Sequence, residues 1–320
     1  QIKIFMMANF LSSMIDFNEF VDFRTLSQTR YTTISIAKKK NSPSRKYIFK
    51  TFNFNCVLSK DQKIVAETFF RVNCIESQYL QCYKSFSFTS NQSNLNPTFS
   101  MKYISSNTLG KYLKNPDYIK KWGIREMMNC LFASAEGLNV LHQHLICHGN
   151  FNPSNIIIDE AKQSYLSDFG LYPIKNLYKN TDELLTYNEY KDPTLDSCLI
   201  TPKNDIYSFG VLMCQFYLSI SQQEEKLADF ITKCDEKKYY NFPSFFGEII
   251  PKCFENSNNR IITFKKIIEA FQNESYKIES FNVNICDLYS DFIKVDYIES
   301  LANINDSFAF NKLGKMDCQG

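Results

Sequence analysis

Two hydrophobic patterns divide the chain into a strand-rich first third and a helix-rich remainder. Residues 29–39 and 45–55 are rich in β-branched and aromatic residues and flank a polar loop, which predicts a pair of strands. Residues 60–72 follow a helical period, in which Ile64, Val65 and Phe69 lie on one side. The first third is therefore expected to combine a sheet with one helix.

A second strand-like pair spans residues 79–88 and 97–104 and flanks the Asn- and Ser-rich loop 90–97. From residue 109 the period becomes helical, most clearly in residues 122–144, 205–220 and 263–272. Strands followed by helices indicate an α+β protein with two lobes and a hinge near residues 102–108.

Composition narrows the possible functions. The 36 basic and 34 acidic residues leave a formal charge of +2, which argues against nucleic-acid binding through a concentrated basic face. The 11 cysteines include no CxxC pair, and with only 3 histidines no zinc site is predicted. No apolar run reaches the length of a membrane span, and the short apolar start lacks a clear cleavage site. We therefore expect a cytoplasmic protein with reduced thiols and no membrane span.

The most informative stretch is residues 148–170, HGNFNPSNIIIDEAKQSYLSDFG. Its His148, Pro153 and Asn155, followed by Asp168-Phe169-Gly170, resemble the catalytic loop and DFG motif of the eukaryotic protein kinases. In that family one acid meets the substrate hydroxyl, and a strand–turn–strand returns a second acid to the metal.

Further segments resemble the same family in the family's order. Residues 204–216 are similar to the segment in which Asp205 braces the catalytic loop, and Arg260 is similar to the arginine of the last helical subdomain. Residues 101–104 resemble the gatekeeper and hinge, and residues 108–113 the segment after the hinge. The Tyr-Ser-Phe-Gly form of residues 207–210 and the general sequence pattern are most similar to the tyrosine-kinase-like group of Ser/Thr kinases.

This resemblance implies a bilobal α+β kinase-like fold, with a small β-rich N-lobe and a larger helical C-lobe. The expected organisation is an N-terminal extension over 1–19, an N-lobe over 20–104, a C-lobe over 105–274 and a C-terminal extension over 275–320. The packing of that last extension is left open.

The resemblance also implies binding of ATP and Mg²⁺ between the lobes. Lys50 is similar to the lysine that holds the phosphates, and Glu67 to its helix partner. Asn155 and Asp168 are the implied metal ligands. The implied nucleotide-binding residues beside Lys50 are Ile34, Ile48, Met101, Tyr103 and Ile157.

The catalytic positions depart from the family pattern. Asn150 stands where the catalytic Asp is expected, and an amide is not a useful base. Asn152 replaces the loop Lys that neutralises the transferred phosphoryl group. Ser27, Thr29 and Thr32 stand in place of the three glycines of the phosphate loop, where glycine allows close backbone approach.

Adenine and regulatory positions also depart from the pattern. Ile48 replaces a small alanine and crowds the adenine site. Gly149 replaces the arginine that would pair a phosphorylated activation segment, expected over 168–194. Thr194 replaces the glutamate expected to pair with Arg260, which must find another partner or face water. The candidate phosphorylation sites in that segment are Tyr178, Thr181, Thr186 and Tyr187.

Three hypotheses follow. The first is a pseudokinase that acts as a signalling scaffold or allosteric partner of other proteins, such as kinases, with weak ATP binding. The second is a divergent active Ser/Thr kinase that uses Lys50, Asn155 and Asp168. The third is a purely structural scaffold that binds no nucleotide.

Overall fold

The computed structural model describes residues 14–56, 58–91, 94–104, 106–115, 122–177, 188–195, 200–221, 225–235, 244–273, 277–278 and 283–284. Within these ranges a strand-rich part precedes a helix-rich part, as the two hydrophobic patterns predict. The four candidate phosphorylation sites lie outside the described residues.

Five strands form the sheet of the first lobe. Their bounds are Phe20–Gln28 (β1), Thr32–Lys39 (β2), Ser42–Phe52 (β3), Tyr83–Asn91 (β4) and Asn94–Lys102 (β5). All neighbours are antiparallel, in the order β1-β2-β3-β5-β4. The loop predicted over 90–97 is wrong, because Thr89 pairs with Asn96 and Ser90 with Leu95. A polar hairpin is tolerated there because β4 is an edge strand, where polar residues face water.

One helix, α1 (Ser59–Asn73), packs against this sheet. It buries Val65, Phe69 and Val72, so the predicted helical period is confirmed. The Phe69 ring centroid lies 4.5 Å from that of Phe86 and 5.4 Å from that of Phe99. These aromatic contacts fix the distance of α1 from β4 and β5.

The second lobe contains most of the helices. Their bounds are Leu109–Leu113 (α2), Ile124–Gln143 (α3), Tyr172–Lys175 (α4), Pro202–Ser221 (α5), Leu227–Asp235 (α6), Ser244–Cys253 (α7) and Phe264–Phe271 (α8). Short 3₁₀ turns lie at Phe17–Glu19, Pro153–Asn155 and Asn188–Tyr190.

A small antiparallel sheet joins the lobes, formed by β6 (Ser106–Thr108), β7 (Ile156–Asp159) and β8 (Ser164–Leu166). A two-residue hairpin pair follows α8, formed by β9 (Lys277–Ile278) and β10 (Val283–Asn284). Together these elements confirm the α+β architecture with a five-stranded small lobe and a helical large lobe.

The core of the second lobe is built around α3, α5 and α8. The ring centroids of Phe132 on α3 and Phe271 on α8 lie 5.4 Å apart, and those of Phe209 on α5 and Phe264 on α8 lie 5.3 Å apart. Burial of these large side chains is the main stabilising contribution of the lobe. None of the helices in the described ranges is long and apolar enough to cross a membrane.

A buried ion pair links the segment before α5 to the segment before α8. Arg260 pairs with Asp192, and both side chains are 0% exposed. The same guanidinium Nη1 donates to the Lys203 carbonyl at 2.9 Å. Thr194 supports the pair from the other side, because its backbone N–H and its hydroxyl donate to Asp192 Oδ1 at 2.9 and 2.7 Å. Arg260 therefore does find a carboxylate, two residues before the position where the family pattern places one.

Removing one partner of this pair should destabilise the fold strongly. In Asp192→Ala the buried Arg260 guanidinium loses its counter-charge, so we expect a loss of about 3–5 kcal/mol in the free energy of unfolding. Urea denaturation followed by circular dichroism measures it. The control is Lys162→Ala, which removes the partly exposed pair with Glu126 and should cost less than about 1 kcal/mol. Equal losses in the two variants would contradict this account of Asp192.

Candidate functional site

The catalytic-loop residues lie between α3 and β7 and are held by Asp205 on α5. Its carboxylate accepts the backbone N–H groups of His148 at 2.7 Å and Gly149 at 2.9 Å. It also contacts His142 Nε2 at 2.9 Å. The side chain of Asp205 is buried, so these charge-assisted bonds fix the loop backbone. This is the bracing role that the sequence indicated for Asp205.

Three asparagine side chains organise the loop around position 150. Asn152 Nδ2 donates to the backbone carbonyl of Asn150 at 2.9 Å and to its side-chain Oδ1 at 3.1 Å. Asn155 Nδ2 donates to the same carbonyl at 2.8 Å. Asn152 Oδ1 accepts the Ser154 N–H at 2.9 Å, and the Asn152 side chain is buried. The positions expected to carry an acid and a lysine thus form a neutral amide network.

Asp168 lies at the centre of the cleft between two lysines. Its Oδ1 pairs with Lys50 from β3, and its Oδ2 lies 2.8 Å from Nζ of Lys175 at the end of α4. The three side chains are 10–16% exposed. Both carboxylate oxygens are therefore engaged by ammonium groups.

The electrostatics of this triad favour its charged form. Burial acts to raise the pKa of Asp168, but the charges of Lys175 and Lys50 outweigh it and hold that pKa below its ordinary value. Burial lowers the pKa of Lys50, and the Asp168 carboxylate opposes that shift. Asp168 is consequently an ionised, fully paired carboxylate.

The residues after Asp168 anchor the triad to α1. Phe169 is buried, its ring centroid is 5.1 Å from that of Tyr83, and its carbonyl accepts the Tyr83 hydroxyl at 3.3 Å. Gly170 has φ +69°, and a Cβ there would lie 2.6 Å from Val72 Cγ1. Only glycine fits this close approach to α1 with that backbone angle.

Glu67 does not meet Lys50, so the predicted ion pair is wrong. Its side chain is 62% exposed and lies 3.7 Å from Lys63 on the same helix. The neighbouring Thr68 is buried on the inward face instead. Successive helical residues point about 100° apart, so a one-residue difference in phase turns the carboxylate out to water. The inward face of α1 therefore carries the uncharged side chain of Thr68 at this level of the helix.

Three of the predicted nucleotide-side residues, Ile34, Ile48 and Met101, lie on β3 or on the strands paired with it, while Ile157 lies in the second sheet. Ile34 lies opposite Lys50 across β2 and β3, and Ile48 lies between Ile36 and Met101 in the sheet. Ile157, on β7, pairs with Thr108 and Tyr165. The strands thus bring Ile34, Ile48 and Met101 to the wall that carries Lys50.

Backbone groups of the hinge already have protein partners. The Lys102 carbonyl accepts Gln81 Nε2 at 3.2 Å. The Tyr103 N–H donates to the Lys46 carbonyl at 3.0 Å, which extends the β3–β5 pairing into the hinge. These bonds hold the hinge to the small lobe.

The β1–β2 hairpin, where the family has its glycines, is closed by threonine. Thr29 Oγ1 accepts the N–H groups of Tyr31 at 3.2 Å and Thr32 at 3.0 Å. Asn53 Nδ2 donates to the Thr29 carbonyl at 3.0 Å and ties the hairpin to the end of β3. Backbone amides that glycine would leave open to a phosphate are thus satisfied internally.

The residues present do not fit a magnesium-bound phosphate in this arrangement. Mg²⁺ binds oxygen ligands at about 2.0–2.1 Å and requires access to a carboxylate oxygen. Both oxygens of Asp168 are hydrogen-bonded to ammonium groups, so this carboxylate offers no open oxygen to the metal. Sequence reasoning missed Lys175, whose only signal is a lysine seven residues after the DFG aspartate.

The two lobes, with a DFG-containing cleft between them, define a kinase-type fold. A family model described as protein tyrosine and serine/threonine kinase matches residues 23–271. The chain therefore belongs to the protein kinase family. The kinase domain of maize SIRK1 (sucrose-induced receptor kinase 1), solved bound to AMP-PNP, is a structural relative with a TM-score of 0.63 and 16% identity. That similarity covers 81% of this chain and 96% of the maize domain.

Among curated proteins, STRUBBELIG-RECEPTOR FAMILY 3 of Arabidopsis thaliana is 32% identical over 123 residues, which is 36% of this chain and 16% of that protein. A protein of Dictyostelium discoideum named as a probable inactive serine/threonine-protein kinase is 23% identical over 58% of this chain and 17% of its own length. The matches thus span less than a fifth of the length of these two relatives. Other relatives from Arabidopsis thaliana are named as leucine-rich repeat receptor-like kinases, at 30% and 32% identity over 38% and 36% of this chain.

His148 gives the fold a specific acid sensitivity. The ring is buried, and within the described residues neither ring nitrogen has a hydrogen-bond partner. Burial lowers the pKa of His148 from 6.5 to about 4. Between these values the unfolded chain binds a proton that the folded chain does not, so stability falls as the pH falls from 6.5 to 4.

Replacing His148 by Phe should remove the part of the acid-induced loss of stability that comes from this buried ring. The native protein should lose on the order of 3 kcal/mol more unfolding free energy than His148→Phe between pH 6.5 and 4. Urea titrations at several pH values measure the difference, and His144→Gln, at an exposed position, should behave as the native chain. Parallel acid profiles for the native chain and His148→Phe would refute the assignment.

Proposed function

We propose that this kinase-family protein is a pseudokinase: a kinase fold used as a binding or allosteric module in cytoplasmic signalling. Its partners would be proteins, such as other kinases or signalling proteins. The observation that carries the proposal is Asn150, which occupies the position of the catalytic base and is tied into an amide network.

The first support for this proposal is that the side chain at position 150 cannot act as a base. A positioned base contributes about 10²–10⁴-fold to rate, and an amide cannot accept the proton of a substrate hydroxyl. Asn152 removes a second catalytic charge and caps the turn that begins at Pro153 instead. The loop therefore has neither a carboxylate at position 150 nor a lysine at position 152.

The state of the nucleotide-facing groups supports it further. Lys50 pairs with Asp168 and not with a glutamate of α1, and the hairpin amides are bonded to Thr29. Each of these bonds would have to be exchanged for bonds to phosphate or metal before a nucleotide could bind in the manner of the family. We infer weak nucleotide binding at most.

A second candidate is a divergent active Ser/Thr kinase. It is favoured by one observation: Phe169 is packed inside against Tyr83, with Asp168 facing Lys50, so the DFG segment is in a position to work if Lys175 moves away. The name of the Dictyostelium relative favours the pseudokinase instead. Phosphotransfer separates the two.

Transfer from γ-³²P-ATP, with Mg²⁺ or Mn²⁺, should be the same for the native chain as for Asp168→Ala. The reason is that the base at position 150 is lacking and Asp168 is already fully paired. Asn150→Asp alone should also stay far below the ordinary kinase range of about 1–100 s⁻¹, since Asn152, Ile48 and the threonine-closed hairpin remain.

Two results would decide against the pseudokinase. Native transfer that disappears in Asp168→Ala would establish the divergent kinase. Ordinary kinase rates in Asn150→Asp would show that only the base is missing and that the first lobe binds nucleotide normally. Asn150→Ala serves as the matched control, because it also disturbs the amide network but supplies no carboxylate.

A further inference from the structure

Lys175 is a cleft residue that no family motif predicts. It ends α4, and its Nζ lies 2.8 Å from Oδ2 of Asp168, with its side chain 16% exposed. Lys50 holds the other oxygen of the same carboxylate. Asp168, the carboxylate expected to bind a divalent cation, thus lies between two lysine ammonium groups, each of which carries a single positive charge.

The position of Lys175 is set by packing. Leu171 and Ile174 are both fully buried, and they fix the two ends of α4. The Lys175 N–H donates to the Leu171 carbonyl at 3.0 Å, so the residue belongs to the helical turn. Gly170 brings this turn against α1 through its contact with Val72. Moving the ammonium away from Asp168 by backbone motion would therefore disturb buried contacts.

The charges explain why this arrangement excludes a metal. Lysine has donors and no acceptor, so neither ammonium can itself ligate a cation. A divalent ion at Asp168 would also lie within a few ångströms of two positive charges, those of Lys50 and Lys175. Because these two ammonium groups are largely buried, their repulsion of the ion is screened much less than it would be in water.

We propose that Lys175 is a built-in replacement for the divalent cation. Its ammonium neutralises Asp168, keeps Lys50 in place and excludes Mg²⁺ or Mn²⁺ from the carboxylate. The cleft is thereby organised without a metal, and any polyphosphate that enters it binds without a metal requirement. The inference deepens the proposed function of the same cleft but fails separately from it, since a chain without a base at position 150 can still bind Mn²⁺.

Mn²⁺ binding by the full chain, without nucleotide, tests the replacement directly. Electron paramagnetic resonance of free Mn²⁺ should show no specific site in the native protein. Lys175→Ala and Lys175→Met should each gain a site, with affinity raised at least about tenfold, because one repelling charge is removed and one carboxylate oxygen is released. Lys175→Met keeps an unbranched apolar stem in case alanine weakens α4.

Three controls make the result specific. Lys175→Arg preserves the charge and should bind no Mn²⁺. Lys162→Ala removes a lysine far along the chain that pairs with Glu126, and it should behave as the native protein. Adding Asp168→Ala to Lys175→Met should abolish the gained site, because the ligand itself is then gone.

Two outcomes would overturn the proposal. In the first, the native protein binds Mn²⁺ as tightly as the Lys175 variants, which would mean that the ammonium gives way to the metal without cost. In the second, neither folded neutral variant gains a site, which would mean that Lys175 is not what excludes the cation. Circular dichroism establishes that each variant is folded.

Discussion

The cleft depends on one carboxylate, that of Asp168, held between the ammonium groups of Lys50 and Lys175. Lys50 comes from the sheet of the first lobe, while Lys175 ends a short helix that packs beside α1, so this carboxylate connects the sheet to the segment after the DFG motif. A buried carboxylate needs full compensation, because an unpaired charge in a low-dielectric site is costly. In a working kinase part of that compensation comes from a metal. Here the protein supplies all of it, so the cleft is electrostatically complete by itself.

The same principle extends around the cleft. Where the family resemblance implies a base and a lysine, Asn150 and Asn152 satisfy each other and the loop backbone. Where it implies glycines, Thr29 bonds the amides of its own hairpin. Asp205, which braces the loop without taking part in transfer, keeps its bonds to the backbone of His148 and Gly149. Lys50, Asn155 and Asp168 keep the residue types of the family, while the positions of the base, the loop lysine and the loop glycines carry groups with internal partners.

Much of this could be predicted from the sequence, but not the pairings. Periodicity placed α1, and ordered motifs placed Lys50, Asp168 and Asp205, because strand and helix periods are local properties of the chain. The partner of Lys50 could not be predicted in the same way, since a difference of one residue in helical phase turns Glu67 to water and Thr68 to the core. The Asp192–Arg260 pair depends on how segments far apart in the chain pack, and the contact of Lys175 with Asp168 depends on the short turn of α4, so no spacing rule indicates either of them.

The most direct measurement of the central claim is a crystal structure of the full chain grown with millimolar Mg²⁺ and a non-hydrolysable ATP analogue. We expect Lys50 and Lys175 to remain on the two oxygens of Asp168, with no metal at that carboxylate. A magnesium ion bridging Asp168 and Asn155, with Lys175 displaced and a triphosphate beneath the β1–β2 hairpin, would contradict the account.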